Sequence, residues 1–324
     1  MYTYFNERNL ESVNCKWLSS GYNKNLNKHP LMKIFCKVLF LCSLIYFNIN
    51  HAQAQQLNAY KLVNQAGVEV QFSDVVEQAL KSEIILFGEL HNNPISHWLQ
   101  FELLRALNEA EPHSVTLGLE MFEADNQVLI DEYFQGLITT RNFEQEIRLW
   151  RNYTTDIKPL VEFARANNLP LIATNIPRRY ASMVYRDGLE ALENLSDDAK
   201  QWIAPLPIEV DLDLPGYKHI MEAAHGHGGE NLPKSQAVKD VTMAHFIFSN
   251  LYEGRRFLHI HGTYHSDNFE GIYWYLKQLN PELNILTIST NEADINQQTF
   301  ELTEDVTAKA NFILLIPPSM TKTH

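Results

Sequence analysis

Three short stretches of this chain place carboxylates and imidazoles directly after apolar runs. Glu89-Leu90-His91-Asn92-Asn93 follows Ile84 to Gly88, Glu120 follows Val115 to Leu119, and His261-Gly262-Thr263-Tyr264-His265 follows Phe257 to Ile260. Glu89 and His91 are two residues apart, so in an extended segment both project to one side. That placement suits two ligands on one ion, or a base and the group that orients it. Glu89, His91, Glu120 and His265 are therefore the candidate catalytic set, and they also make a plausible oxygen and nitrogen shell for divalent Zn, Mn or Fe. Without metal the same four would polarise a water, one histidine acting as base and a glutamate fixing its tautomer. Spacing leaves both open. The plainer role for Glu89 alone is a helix cap, with His91 bonded to a backbone carbonyl; the coincidence of three strand ends favours a site.

Other residues point to ligand binding. Asn175, Arg178 and Arg179 follow a run ending at Thr174; arginines there suit a carboxylate clamp, a haem propionate being one example, or pair with the protein's own surplus acids. Trp150 and Tyr153 are placed to line the same mouth, although aromatic side chains more often pack in cores. Tyr217, His219, His225 and His227 cluster in a stretch rich in proline and glycine. There His225-Gly226-His227 offers a flexible imidazole and Tyr217 a phenolate to a haem iron. His97 and His245 read as helix-face residues.

The elements that must position these groups alternate. Short apolar runs at 84–88, 115–119, 171–174, 257–260 and 285–288, with a last one at 312–316 stopped by Pro317-Pro318, have the composition of buried strands, and helical patterns separate them. After the first, Ile95 to Leu107 carries one apolar face, with Pro94 suited to the first helical turn. The rhythm predicts an α/β fold, a mainly parallel sheet flanked by helices on both faces. Gln55 to Gln71, turning at Gly67, reads as an opening hairpin, and Pro205 to Pro233 as a lid-like excursion over the carboxyl edge.

The first fifth stands apart. Met32, Lys33 and Lys37 precede a ten-residue apolar run, Val38 to Phe47, and then Ala52-Gln53-Ala54, the pattern of a signal peptide over 32–54. Residues 1–31 read as a misassigned extension, and 55–324 as a single domain. The run is half the roughly 20 residues a spanning helix needs. Cys42 follows the bulky Leu41 where a lipid-attachment site wants a small residue, so a free periplasmic or envelope protein is the expectation rather than a lipoprotein. All three cysteines precede the cut, which removes disulfides, thiolate ligands and a cysteine nucleophile from the mature chain. The leader carries six Lys or Arg and two Asp or Glu of the chain's 26 and 39, leaving 20 and 37 and a formal charge of −17. Nucleic acids and anionic membrane surfaces are poor partners for such a surface.

Gly88-Glu89-Leu90-His91-Asn92-Asn93, Gly118-Leu119-Glu120-Met121-Phe122, Leu171 to Arg178 (LIATNIPR) and Lys234 to Ala244 (KSQAVKDVTMA) together resemble the ChaN-like family of haem-binding, iron-regulated envelope proteins. That family is grouped with the Tiki proteases and erythromycin esterases. The resemblance spans about Ser73 to Pro318. It implies haem or iron handling, a homodimer holding haem between its copies, and, from the hydrolase relatives, an active site at the positions of Glu89, His91, Glu120 and His265. Two functions follow as expectations: an exported haem-binding protein of iron acquisition, and alternatively a metal-dependent hydrolase of an ester or amide.

Overall fold

The computed structural model describes residues 57–224, 227–297 and 300–324. The leader, His225 and the expected signal-peptide cut lie outside the described residues. The chain opens with strands β1 (Lys61–Asn64) and β2 (Glu69–Val70), then runs through helix α1 (Phe72–Ala79), β3 (Ile84–Glu89), α2 (Pro94–Ala110), β4 (Val115–Glu123), α3 (Gln127–Phe134), α4 (Thr140–Glu146) and α5 (Lys158–Ala166). It continues with β5 (Leu171–Asn175), α6 (Arg178–Asp187), α7 (Asp197–Lys200), α8 (Pro215–Ala223), α9 (Asn231–Ser249), β6 (Arg256–Gly262), α10 (Ile272–Leu279), β7 (Ile285–Glu292), α11 (Glu304–Thr307) and β8 (Phe312–Ile316).

One eight-stranded sheet has the order β2-β1-β8-β7-β3-β6-β4-β5. The six strands from β8 to β5 are parallel, and the hairpin β1–β2 is added antiparallel on the β8 edge. The expected hairpin and the mainly parallel sheet are both present. Period-two alternation sorts the central strands between two layers. Ile85, Phe87, Leu117, Leu119, Leu258 and Ile260 pack under α2 and α5, while Ile84, Leu86 and Phe257 pack under α9 and α10.

Strand order reverses around β3 and β6. From β3 the chain moves past β6 to β4; from β6 it returns past β3 to β7. The helices that follow, α2 and α10, lie in opposite layers, which opens a crevice beyond the carboxyl ends of β3, β6 and β4. Helix α2 starts where expected because Asn93 caps it, its side chain accepting from Ile95 and Ser96 amides with Pro94 in the first turn. No described helix is long and apolar enough to cross a membrane.

Candidate functional site

The crevice is a cleft of about 860 Å³ whose lining includes Glu89, His91, Glu120 and His265. The structure thus brings together all four candidates from three separate strand ends. It arranges them as two hydrogen-bonded groups.

In the first group, buried Glu89 takes His91 Nδ1 at 2.9 Å on one oxygen and Gln100 Nε2 at 2.8 Å on the other. His97, on α2, lies behind them with Nε2 3.3 Å from Glu89 and Nδ1 3.1 Å from Asp156. Asn152 donates to Asp156 at 2.9 Å and to the His91 carbonyl at 3.0 Å, tying the wall to the β3 loop. The His91 ring stands edge-on to Trp150, centroids 4.8 Å apart. Burial raises the Glu89 pKa, yet the hydrogen bonds from His91 and His97 outweigh it and hold the carboxylate below its usual range. Burial lowers the His91 pKa, but Glu89 and then Glu120 reverse that and favour the charged ring. With Nδ1 committed to Glu89, His91 offers Nε2 to the cleft.

The second group is deeper. Glu120 accepts the Gly262 amide at 2.7 Å and lies 3.3 Å from His265 Nε2. Asp240 of α9 meets His265 Nδ1 at 2.5 Å and accepts the Tyr217 hydroxyl at 2.8 Å. Burial alone would discharge His265, but the flanking Glu120 and Asp240 carboxylates push its pKa up to about 10. Burial likewise raises the Glu120 carboxyl, and the adjoining His265 charge more than reverses this, holding it well below the carboxylate range. His265 is thereby held as a cation, and His91, nearer the mouth, is also favoured in its charged form. Gly262 separates the groups: a Cβ there would lie 2.7 Å from both Cε1 and Nε2 of His91.

The expected converging shell for a divalent ion is not formed. Among the described residues no three His, Cys, Asp or Glu side chains are arranged to hold a metal ion. The physical reason is that Glu89, Glu120 and His265 each spend their polar atoms on protein partners.

The remaining candidates divide. Arg178 lines the cleft, as do Asn175 and Trp150; Arg179 instead pairs with Asp125 at 2.6 Å and stacks on Tyr180. Tyr153 is in the core rather than at the mouth. Tyr217 lines the cleft, but burial and then the Asp240 charge drive its pKa far up, so the group there is a phenol that donates to Asp240 rather than a phenolate. His219 faces an adjoining cavity of about 610 Å³, and His227 sits in an exposed turn.

Sequence reading missed Asp240, Asp156 and a buried imidazole pair. His259 and His261 of β6 meet Nδ1 to Nδ1 at 3.0 Å, with Thr174 on one end and Ser266 on the other, each at 2.7 Å. Gly118 leaves the room on β4 that His259 occupies, since a Cβ there would be 2.9 Å from the His259 ring and 2.4 Å from Phe257. Burial, then the neighbouring His265 charge, lowers the His261 pKa to about 3, and burial lowers His259 well below its ordinary value. The signal was two histidines on one face of an apolar strand.

A family model described as haem-binding uptake, Tiki superfamily, ChaN matches residues 75–276, more than half the chain. The chain belongs to this ChaN family. Among solved structures, ChaN of Campylobacter jejuni, described with cofacial haem binding, shares 15% identity at a TM-score of 0.58, covering 79% of this chain and 96% of that one. That likeness is one of fold. A mutant erythromycin esterase in its open conformation is similar at 11% identity and a TM-score of 0.43, covering 76% and 79% of the two chains. No curated protein matches the sequence.

Proposed function

We propose that this ChaN-family chain is an exported haem-binding protein that takes the porphyrin into the cleft beyond β3, β4 and β6. The observation that carries the reading is the chemistry of that cleft. Its volume lies within the range of ligand sites, roughly 300–1,000 Å³, and Trp150, Ile176, Tyr185 and Ile220 give it apolar and aromatic wall for a flat macrocycle. Arg178 and Lys239 line it too, and although Lys239 Nζ donates to Gln236 Oε1, no carboxylate within the described residues pairs with either, so two cations face anionic substituents in an otherwise acidic protein. Haem iron is commonly held by imidazole or phenolate. Three side chains at the cleft present such a donor, His91 through Nε2 and the exposed Tyr185 and Tyr264 through their hydroxyls. Tyr217 and His219 become ligands only if the excursion moves, because Tyr217 is committed to Asp240 and His219 faces the second cavity; His225 and His227 stay candidates from the sequence.

Export follows from the leader at 32–54, and we place the mature protein in the periplasm or envelope; the N-terminal sequence of protein recovered from cells tests the cut after Ala54. A homodimer closing over bound haem is part of the proposal, motivated by Tyr185 and Tyr264 standing exposed at the cleft. Sedimentation with and without haemin tests it. Visible absorption titration with haemin tests the function: a saturable Soret change in the mature protein supports it, and its absence refutes it.

A second reading, hydrolysis of an ester or amide, is favoured by one specific feature. His91 has Nδ1 on a buried carboxylate and Nε2 open to the cleft, the arrangement of an oriented acid–base group, and the His265 cation lies within the same lining. Turnover of ester substrates that is lost in His91→Gln with the fold intact would establish it.

A further inference from the structure

The excursion between β5 and β6 is not anchored as an ordinary surface loop. Its helix α8 has one buried side chain, Tyr217. That phenol reaches Asp240 Oδ2 at 2.8 Å, while Asp240 Oδ1 holds His265 Nδ1 at 2.5 Å. The neighbouring Gly216 amide donates to Glu270 Oε2 at 2.6 Å, and a Cβ at Gly216 would lie 2.7 Å from that oxygen. One carboxylate on α9 therefore joins the excursion to the deepest imidazole of the cleft.

We propose that Asp240 is the positioning residue of this site: it orients the His265 ring, and Tyr217 orients Asp240, so that docking of the α8 excursion and the setting of His265 are one coupled event.

A carboxylate that accepts on both oxygens is fixed in rotation, and the ring bonded to it inherits that orientation. Asp240 is almost fully buried, so losing the Tyr217 hydroxyl leaves an oxygen with no water to replace it. The groups facing His265 are Glu120 from β4, Asp240 from α9, His91 from the β3 loop, and His261 from β6. Tyr275 of α10 has a buried hydroxyl without its own partner and adjoins Tyr217. Of these elements only α8 belongs to a segment with so little buried side chain. Undocking it is the low-cost motion of the site, and ligand entering the cleft passes residues of that same helix, Tyr217 and Ile220. The coupling is a property of the apo protein, whichever ligand the cleft takes.

Tyr217→Phe keeps the ring and deletes only the hydroxyl. Two readouts are taken on the mature chain. One is the rate of tryptic cleavage at Lys218 in native buffer. The other is the low-field proton resonance of the short His265 Nδ1–H bond, with histidines labelled with nitrogen-15. The proposal expects cleavage in Tyr217→Phe at least tenfold faster than in the parent, together with a shifted or broadened His265 resonance. Asp240→Asn gives the same faster cleavage and loses the resonance. Glu120→Gln removes the charge facing Nε2 while keeping the Nδ1 bond to Asp240 that sets the ring, and leaves cleavage at the parent rate. Tyr217→Phe with parental cleavage, or with fast cleavage and an unmoved His265 resonance, overturns the coupling. If Asp240→Asn does not fold, the Tyr217→Phe and Glu120→Gln pair decides alone.

Discussion

The buried imidazoles give this protein a stability profile with two limbs of opposite sign, each traceable to particular residues. His259 and His261 are buried as neutral rings with depressed pKa values, about 3 for His261. Below the ordinary histidine value of 6.5 the unfolded chain binds two protons that the folded chain refuses, so stability falls as pH falls. Each group contributes about 1.4 kcal/mol per pH unit once its unfolded form is protonated. Two groups amount to about 2 to 3 kcal/mol between pH 6 and 5, a large part of a typical net stability of roughly 5–15 kcal/mol. His265 acts in the other direction. Its folded pKa is raised to about 10, so its contribution is complete below 6.5 and is lost as pH rises through 10, at about 1.4 kcal/mol per unit. Urea denaturation of the mature chain, followed by tryptophan fluorescence at constant ionic strength, measures both limbs through the midpoint, with an unchanged slope confirming that stability itself has moved. The expected maximum lies near pH 6.5. His261→Gln is expected to shrink the acid limb by about half, and His265→Gln to shrink the alkaline one to the part that the raised His91 pKa supplies, with stability lowered below pH 10. Stability that is flat or rising between pH 6 and 5 would refute the assignment of two neutral buried rings.

Glycines make further predictions. Gly262→Ala is expected to fold, because its φ of −67° suits any residue, but the added methyl displaces the His91 ring; ligand affinity should fall about tenfold while melting temperature changes little. Gly118→Ala meets Phe257 and His259 inside the core, where neither ring can retreat, and thermal unfolding should show a loss of at least about 2 kcal/mol. Gly271→Ala combines a φ of +52° with a Cβ only 2.4 Å from the His265 backbone oxygen, so its soluble yield is expected to collapse. Arg178→Gln combined with Lys239→Gln should weaken haemin binding at least tenfold in a Soret titration and leave the melting temperature unchanged.

Much of the frame was legible because buried parallel strands announce themselves as apolar runs. Phe312–Ile316 matches its expected bounds, and Ile84–Glu89 and Leu171–Asn175 each extend one residue further. Val115–Glu123 and Ile285–Glu292 run four residues past the expected ends, because polar residues such as Thr290 remain in the ladder after apolar composition stops and β4 resumes pairing at Glu123 beyond the irregularity that holds Glu120. Carboxylates and imidazoles at three strand ends were legible as a site for the same reason: parallel strands deliver their carboxyl ends to one edge. Asp240 was not, because a lone aspartate within a helix looks like a solvated position until Tyr217 and His265 are brought to it from 23 and 25 residues away. His97 read as a helix-face residue, and it is one; sequence could not show that this face turns inward onto Glu89 and Asp156. A metal shell could be expected from the sequence because donor types are visible there, whereas the partners that engage those donors in the structure are not.

The central claim is that the cleft receives haem, and the most direct measurement is a haemin titration of residues 55–324 followed in the Soret region, with His91→Gln, Tyr185→Phe and Tyr264→Phe alongside. The account predicts a saturable spectral change in the parent and its loss or shift in the variant whose side chain holds the iron, each protein remaining folded by circular dichroism. A parent protein that folds and shows no saturable change would contradict it.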